Sequence, residues 1–362
     1  MLVVKADAYG HGAVAISHHA VRCGVDALGV GTCSEALELR QAGITLPILV
    51  LGTIVDEEVA LALGHNVELG LHSTDRQQML QRAARRMGVR ARVHLNIDTG
   101  MGRLGVLPER ALELLRRVRG ASHLELAGVM THITATNGAL DPETSTQVRR
   151  FEEVLNQARE QDLLAGAIHT ANSACIFTDL RPIYDLVRPG ISAYGVLPSN
   201  LPGAALLRPA LALRSQVVFI KDIPCGATIG YGNTWRAERN TRVATLPLGY
   251  DDGVPWQLSN RGSVLLRSQR ATIIGRVSMD YTTIDVTDVP GVRVGDVVTL
   301  LGTDGDLSIT AEDVAQDAQT IPYEITCSVG KRVTRVYRGE QVPTDSRALP
   351  HFEQPNHEEQ SC

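Results

Sequence analysis

No two of the six cysteines in this chain form a C-x-x-C pair; they stand singly at positions 23, 33, 175, 225, 327 and 362. That spacing offers neither a zinc site nor a disulfide framework. No apolar run approaches a transmembrane span, and no signal peptide is recognisable ahead of Lys5. Positive charge is not in excess: 35 Lys and Arg against 40 Asp and Glu leave a net charge of -5, so neither nucleic acid nor an anionic membrane is called for as a partner. Internal repeats and low-complexity runs are also missing. What remains is a chain of 362 residues with 44% apolar and 21% charged residues, ordinary for a globular protein and long enough for two domains with a substantial core. A reducing cytoplasm is the compartment these features suggest.

Apolar strand-like runs alternate with helical patterns over the first 200 or so residues. The runs are 2–4, 27–31, 48–51, 67–71, 93–97, 124–130, 167–170 and 183–187, and amphipathic stretches such as 75–87 and 109–118 lie between them. Strand then helix, eight times, predicts an α/β domain, a (β/α)8 TIM-type barrel. The seventh connection, 172–180, is short for a full helix. After Pro198 the pattern changes to strand-like segments at 215–223, 242–248, 263–266, 271–277, 282–286 and 297–301, separated by Gly, Pro and Asp, with one helical piece at 311–318. The expected division is a barrel over 1–205, a β-strand-rich domain over 206–344 and a polar, frayed tail over 345–362.

The segment Val3-Val4-Lys5-Ala6-Asp7-Ala8-Tyr9-Gly10-His11-Gly12 places an amine where a short strand runs into a Gly-rich turn. An amine held by a rigid element and facing an open loop is what a Schiff-base lysine requires. Two plainer readings stand beside it: a lysine that happens to end a strand, and a dinucleotide fingerprint in Gly10-x-Gly12-x-x-Ala15, for which no acidic residue ends a second strand at the right place. Other polar residues gather at the expected strand C-termini, the catalytic rim of such barrels. Asp98 to Arg103 follow strand five, Thr131 and His132 strand six, His169 to Ser173 strand seven, and Arg188 to Ile191 strand eight. Any one of them is ordinarily structural; several on one rim point to a site. The last two loops often hold phosphate in these barrels, and Ser173, Gly190 and Ile191 supply a hydroxyl and backbone N–H donors there. With Lys5 across the rim, they suit a cofactor that has one aldehyde end and one phosphate end.

The segments VVKADAYGHG, DTGMGRLG, HTANSA, VRPGISAYG, GYGNTW, LPLGYDDG, GRVSMD and IPYEITC, in this order and spacing, resemble those of alanine racemases over nearly the whole chain. The resemblance implies a barrel carrying pyridoxal 5'-phosphate (PLP), a C-terminal β domain, and a homodimer with sites at the interface. It implies racemisation of alanine, supplying D-alanine for peptidoglycan. Carried over residue by residue, Lys5 is the Schiff-base lysine and the base on one substrate face, and Tyr231, from the partner subunit, is the opposite base. Tyr9, Ser173, Gly190, Ile191 and Tyr323 are the phosphate contacts, and Arg188 faces the pyridine nitrogen. Arg103 and the backbone N–H of Met279 meet the substrate carboxylate, and Tyr250 lines the entrance. His132 and His169 stand behind the site, His132 linking Tyr231 to Arg188. Two bases on opposite faces racemise a carbon without moving the substrate. Lysine and tyrosine must lose protons more easily than free side chains do, which nearby Arg188 and Arg103 favour.

Three positions depart from the pattern. Many relatives have a carbamylated lysine where this chain has Asn96; relatives with Asn there can hold a chloride ion in its place, and several accept a wider range of amino acids. Asn137 stands where an acidic residue is common, and Trp256 where a basic one is. Serine or a broader set of small amino acids is therefore a second substrate expectation. Relatives also carry a further strand and first helix before the lysine motif; a chain without them is expected to expose apolar surface and strand edges, and to be less stable. Among other functions, a barrel decarboxylase would place a cysteine opposite the lysine. A non-catalytic PLP-binding regulator would not need Tyr231, Met279 and Tyr323. A nicotinamide dehydrogenase rests only on the glycine pattern.

Overall fold

The computed structural model describes residues 1–134, 142–178, 183–197, 201 and 203–338. Asn137 and the 345–362 tail lie outside them. Seven parallel strands follow in chain order: β1 (Leu2–Val3), β2 (Leu28–Val30), β3 (Ile48–Val50), β4 (Glu68–Leu71), β5 (Ala91–Asn96), β6 (Leu124–Met130) and β7 (Ala167–His169). Strands β2, β3 and β4 are buried at every position, as strands covered on both faces must be. The intervening helices carry the expected end signals. In Thr74–Met87 the Ser73 hydroxyl caps the N-terminus and Gly88 closes the C-terminus in the left-handed conformation. Pro108–Arg119 starts on its proline and ends on a basic turn.

The eighth strand expected at 183–187 is not a ladder. Only an isolated parallel bridge joins His169 to Leu186. The Asp185 carboxylate, not a carbonyl, accepts the N–H of Ile168 at 2.8 Å, and Pro189 has no N–H to give. The segment still closes the barrel, because its carbonyls accept from β1: Val3 N–H donates to Pro189 O and the Met1 amine to Val187 O. The seventh connection forms a helix of only four residues, Ser173–Ile176.

The second region is antiparallel. Its strands are β8 (Leu213–Gln216), β9 (Phe219–Ile223), β10 (Thr228–Ile229), β11 (Trp235–Arg236), β12 (Thr241–Leu246), β13 (Ser263–Leu266), β14 (Gln269–Ile273), β15 (Thr282–Asp285), β16 (Val297–Asp304) and β17 (Leu307–Ile309). The run expected as one strand over 215–223 is divided at Val217 and Val218. Strand β8 pairs with β16 and β9 with β12, so one stretch of chain joins both ends of the β16-β13-β14-β15-β12 sheet and closes it. Val264, Leu265, Leu266, Ile284 and Val298 are fully buried in its core. Hairpin β10–β11 stands apart and carries Tyr231 in its connection. Helix Ala311–Ala318 forms as expected. A second helix, Pro322–Cys327, was not anticipated, although its proline at the first position is a start signal.

That second helix brings the two regions together. A Cβ on Gly10 would lie 2.0 Å from Thr326 O, so only glycine lets the helix backbone come so close to the Lys5 segment. Arg335 Nη2 donates to Gly10 O at 3.2 Å, and Tyr337 Oη donates to His11 O at 3.0 Å. Among the described residues no helix is long and apolar enough to cross a membrane.

Candidate active site

Lys5 leaves β1 and opens a left-handed turn. Ala6, Asp7, Ala8 and Tyr9 all have φ between 51° and 56°, a conformation that costs L-residues roughly 1–2 kcal/mol each. The surroundings hold it. Glu35 accepts from Ala6 N–H at 2.7 Å, Gly31 N–H at 2.7 Å and Thr32 N–H at 3.2 Å. Asp7 Oδ1 accepts from Ala13 N–H at 2.7 Å, which ties the turn to the next helix. The turn directs Lys5 over the rim and turns Tyr9 inward. Burial first, then the charge of Arg103, lowers the Lys5 pKa, while Glu35 and Cys327 pull the other way.

Opposite lies a cradle of hydroxyl and backbone groups. Ser173 Oγ accepts from Gly190 N–H at 2.9 Å and Ser192 N–H at 3.2 Å and lies 3.0 Å from Ser192 Oγ. Ile191 opens the 3-10 turn Ile191–Tyr194, whose first N–H groups have no partner within the turn. A Cβ on Gly190 would meet Tyr9 Oη at 2.4 Å. Tyr9 is flanked by Tyr194 and Tyr323, with ring centroids 5.2 and 6.1 Å away, and burial raises the pKa of its phenol. Tyr9 and Tyr323 offer hydroxyl donors suited to an anion, while the Tyr194 hydroxyl is donated to Val3 O at 2.8 Å.

Arg188, just before the cradle glycine in the sequence, is 4% exposed. Its guanidinium donates to His169 Nδ1 at 2.8 Å, Thr131 O at 2.9 Å and Thr170 O at 3.1 Å. Burial lowers its pKa to about 10, so it remains a cation at neutral pH. His132 is not among the hydrogen-bond partners of Arg188, and the expected link to Tyr231 does not form within the chain. Burial, with the charges of Arg188, Arg103 and Lys5, drives the His132 pKa down to about 3. Arg103 follows a loop that Asp98 Oδ1 holds by accepting from Gly100 and Gly102 N–H, both at 3.0 Å. Asn96 is buried, gives Nδ2 to Leu104 O at 3.3 Å and leaves Oδ1 unpartnered.

The remaining expected residues belong to the antiparallel region. Tyr323 reaches the cradle, but Tyr231, Met279 and Tyr250 are 75%, 53% and 46% exposed and do not bear on Lys5. Tyr250 N–H donates to Ser278 O at 3.0 Å, which joins the loops of Tyr250 and Met279. Arg332 fastens both, pairing with Asp251, Asp252 and Asp280 and donating to Met279 O at 3.3 Å.

Sequence reasoning missed Glu35, Ser192, Tyr194 and Arg332. Glu35 had a signal, since Thr32-x-x-Glu35 is a capping box that opens helix Cys33–Gln41. The others depend on contacts between distant segments. The arrangement offers an amine, an anion cradle and a buried cation, and so suits a ligand with a reactive carbonyl and an anionic group.

Comparison with known proteins agrees with this arrangement. The family model described as alanine racemase, N-terminal domain, matches residues 1–198, and that described as alanine racemase, C-terminal domain, matches 210–337. Alanine racemase from Citrifermentans bemidjiense is 42% identical over 94% of this chain and 92% of its own length. The relative from Halothermothrix orenii is 40% identical over 93% and 89%. Among solved structures, alanine racemase from D-cycloserine-producing Streptomyces lavendulae superposes with a TM-score of 0.88 at 35% identity, covering 94% of this chain and 91% of that one. That from Bacillus anthracis, with bound L-Ala-P, gives 0.83 at 36%, covering 92% and 86%. The chain belongs to the alanine racemase family, whose members are isomerases.

Proposed function

We propose that this chain is a PLP-dependent racemase that interconverts L- and D-alanine in the cytoplasm and supplies D-alanine for peptidoglycan. The observation that carries this reading is the clustering at the strand ends: the charges of Lys5, Arg103 and Arg188 converge on His132, and Tyr9, four residues after Lys5, abuts Gly190 of the Ser173 cradle. The fit to PLP rests on donor chemistry. Lys5 would hold the aldehyde carbon. Tyr9, Ser173, Gly190, Ile191 and Tyr323 would hold the phosphate, with His132 close to Arg188 beside the ring. When bound, PLP withdraws electrons from the substrate Cα and so acidifies its proton. Arg188, which keeps its proton, would donate to the ring nitrogen without protonating it.

Lys5, whose amine burial makes easier to deprotonate, takes or returns the Cα proton on one face. Tyr231 serves the other face, and its exposure fits a residue given to the site of a second copy in a homodimer. Arg103 and the Met279 N–H receive the substrate carboxylate, and Tyr250 lines the approach. A chloride ion beside Asn96 would help orient Arg103 and would take the second N–H of Nδ2, the first being donated to Leu104 O. The division that accompanies this reading is a cofactor-holding barrel over 1–205 and a β-rich unit over 206–344.

The test is incubation with PLP and L-alanine, then L-serine, in deuterium oxide, following Cα-proton loss and D-isomer together. Exchange accompanied by D-alanine is the expected result, and the alanine-to-serine rate ratio ranks the substrates. Exchange without D-isomer removes Tyr231 from the mechanism. No exchange and no cofactor absorbance rejects Lys5 as the anchor.

A further inference from the structure

A buried polar chain leads away from Arg188. His169 ends β7, His94 lies in mid β5 and Glu68 starts β4, so the chain crosses the barrel interior; the three are 0%, 3% and 5% exposed. His169 Nε2 is 2.9 Å from His94 Nδ1, and His94 Nε2 is 2.8 Å from Glu68 Oε2. Glu68 Oε1 is ion-paired with Arg92 Nη1 at 2.8 Å. Gly128 on β6 makes the space, since a Cβ there would lie 2.4 Å from His94 Nδ1. The β5–β6 ladder shifts register between Val93 and His94.

One chemical fact fixes the protons: arginine has donors only. Arg188 donates to His169 Nδ1, which therefore holds a lone pair. His169 carries its proton on Nε2 and donates it to His94 Nδ1. His94 then carries its proton on Nε2 and donates to Glu68. A second proton on His169 would aim Nδ1–H at the guanidinium. A second proton on His94 would aim Nδ1–H at His169 Nε2–H. The one arrangement that satisfies every contact is a guanidinium, two neutral imidazoles and a carboxylate. Burial and the Arg188 charge, which hold the His169 pKa well below its ordinary value, agree with it.

We propose that Glu68 is a positioning residue for Arg188: through His94 and His169 it fixes the tautomers that keep a lone pair facing the guanidinium. A carboxylate suits both neighbours: Oε2 accepts from His94 Nε2–H, and Oε1, which accepts no hydrogen bond, faces the Arg92 cation in an ion pair. An amide has one acceptor oxygen, so its NH2 would oppose one of them. The effect on turnover rests on the proposed function, in which Arg188 faces the cofactor ring; the tautomers do not.

The experiment uses the full chain loaded with PLP and 15N-labelled at histidine, with two-bond 1H–15N spectra assigned through His94→Asn. In the wild type, His94 and His169 are each expected as the Nε2–H tautomer; an Nδ1–H or imidazolium signal at His169 overturns the proposal without any variant. In Glu68→Gln, His94 is expected to lose its single tautomer while kcat falls roughly tenfold and KM stays within twofold. Unchanged tautomers, or changed tautomers with unchanged kcat, overturn it. Arg92→Met leaves a carboxylate oxygen for His94 and is expected to keep both tautomers; loss of them there assigns the control to Arg92 and overturns the role of Glu68. The spectra need no turnover, so a wild type with these tautomers but no racemase activity supports the relay and rejects the function.

Discussion

On the barrel rim, Tyr9, Ser173 and Arg188 are 7%, 5% and 4% exposed and packed among their neighbours; on the antiparallel face, Tyr231, Met279 and Tyr250 are 75%, 53% and 46% exposed. The first set is preorganised by the chain that carries it. The left-handed turn after Lys5, the Ser173 cradle and the Arg188 hydrogen bonds are complete within one molecule. The second set is held at its base, by Arg332 and the β10–β11 hairpin, while its tips reach outward. Under the proposed function, the first half would hold the cofactor on a preorganised frame and the second would complete the site of another copy.

The largest effect should separate these halves by role. Tyr231→Phe removes one proton-transfer group and leaves the rim intact, so racemisation should fall roughly 10²–10⁴-fold while the cofactor absorbance persists. Lys5→Ala should remove both. Similar cofactor binding in the two variants would break the comparison.

Gly190→Ala attacks the rim alone. Its Cβ would meet Tyr9 Oη at 2.4 Å, and Tyr9 is too buried to give way. The expected cost is about 1–3 kcal/mol of stability with at least about tenfold weaker PLP binding, read by urea unfolding and cofactor titration. Unchanged cofactor affinity would remove Gly190 from the cradle.

Acid should reach the rim through its neutral histidines. His132 titrates at about 3 in the folded chain, far below its ordinary 6.5, and His169 is also strongly lowered. Above pH 6.5 each is neutral whether folded or unfolded and adds no pH dependence. Below it the unfolded chain takes up protons that the folded chain refuses. Stability should then fall with pH by up to about 1.4 kcal/mol per unit for each histidine, down to about pH 3 for His132. Urea midpoints that stay level from pH 7 to pH 5 would contradict this.

The smallest effect is expected on the outward face. Arg332→Leu frees the Met279 and Tyr250 loops from their aspartates, and should raise KM for alanine several-fold with little change in PLP affinity. A change in PLP affinity equal to the change in KM would mean that Arg332 supports both halves.

Much of the fold was legible because it follows from local pattern. Buried strands read as apolar runs, and helices such as Thr74–Met87 announce their ends with Ser73 and Gly88. The eighth strand was not legible, because Asp185 replaces a backbone partner across the sheet, and no periodicity reports that. Nor was the division of 215–223 between β16 and β12, which depends on closure of the whole sheet. In the site, Lys5, Ser173 and Arg188 stood out as rim residues at strand ends. Arg332 and the His94–Glu68 pair lay hidden, since their partners are far away in sequence. The left-handed turn after Lys5 was hidden for another reason: Ala6, Ala8 and Tyr9 carry no intrinsic preference for it, and contacts of Glu35 and Asp7 impose it.

The central claim is that Lys5 of one copy and Tyr231 of another make one site. The most direct test mixes the Lys5→Ala and Tyr231→Phe variants after subunit exchange. Each mixed dimer would contain one site with both changes and one with neither. The account predicts that two nearly inactive proteins regain racemisation on mixing, in proportion to the mixed dimer formed. Mixed dimers that remain as inactive as their parents would place Lys5 and Tyr231 in the same chain's site, or outside a common site, and contradict it.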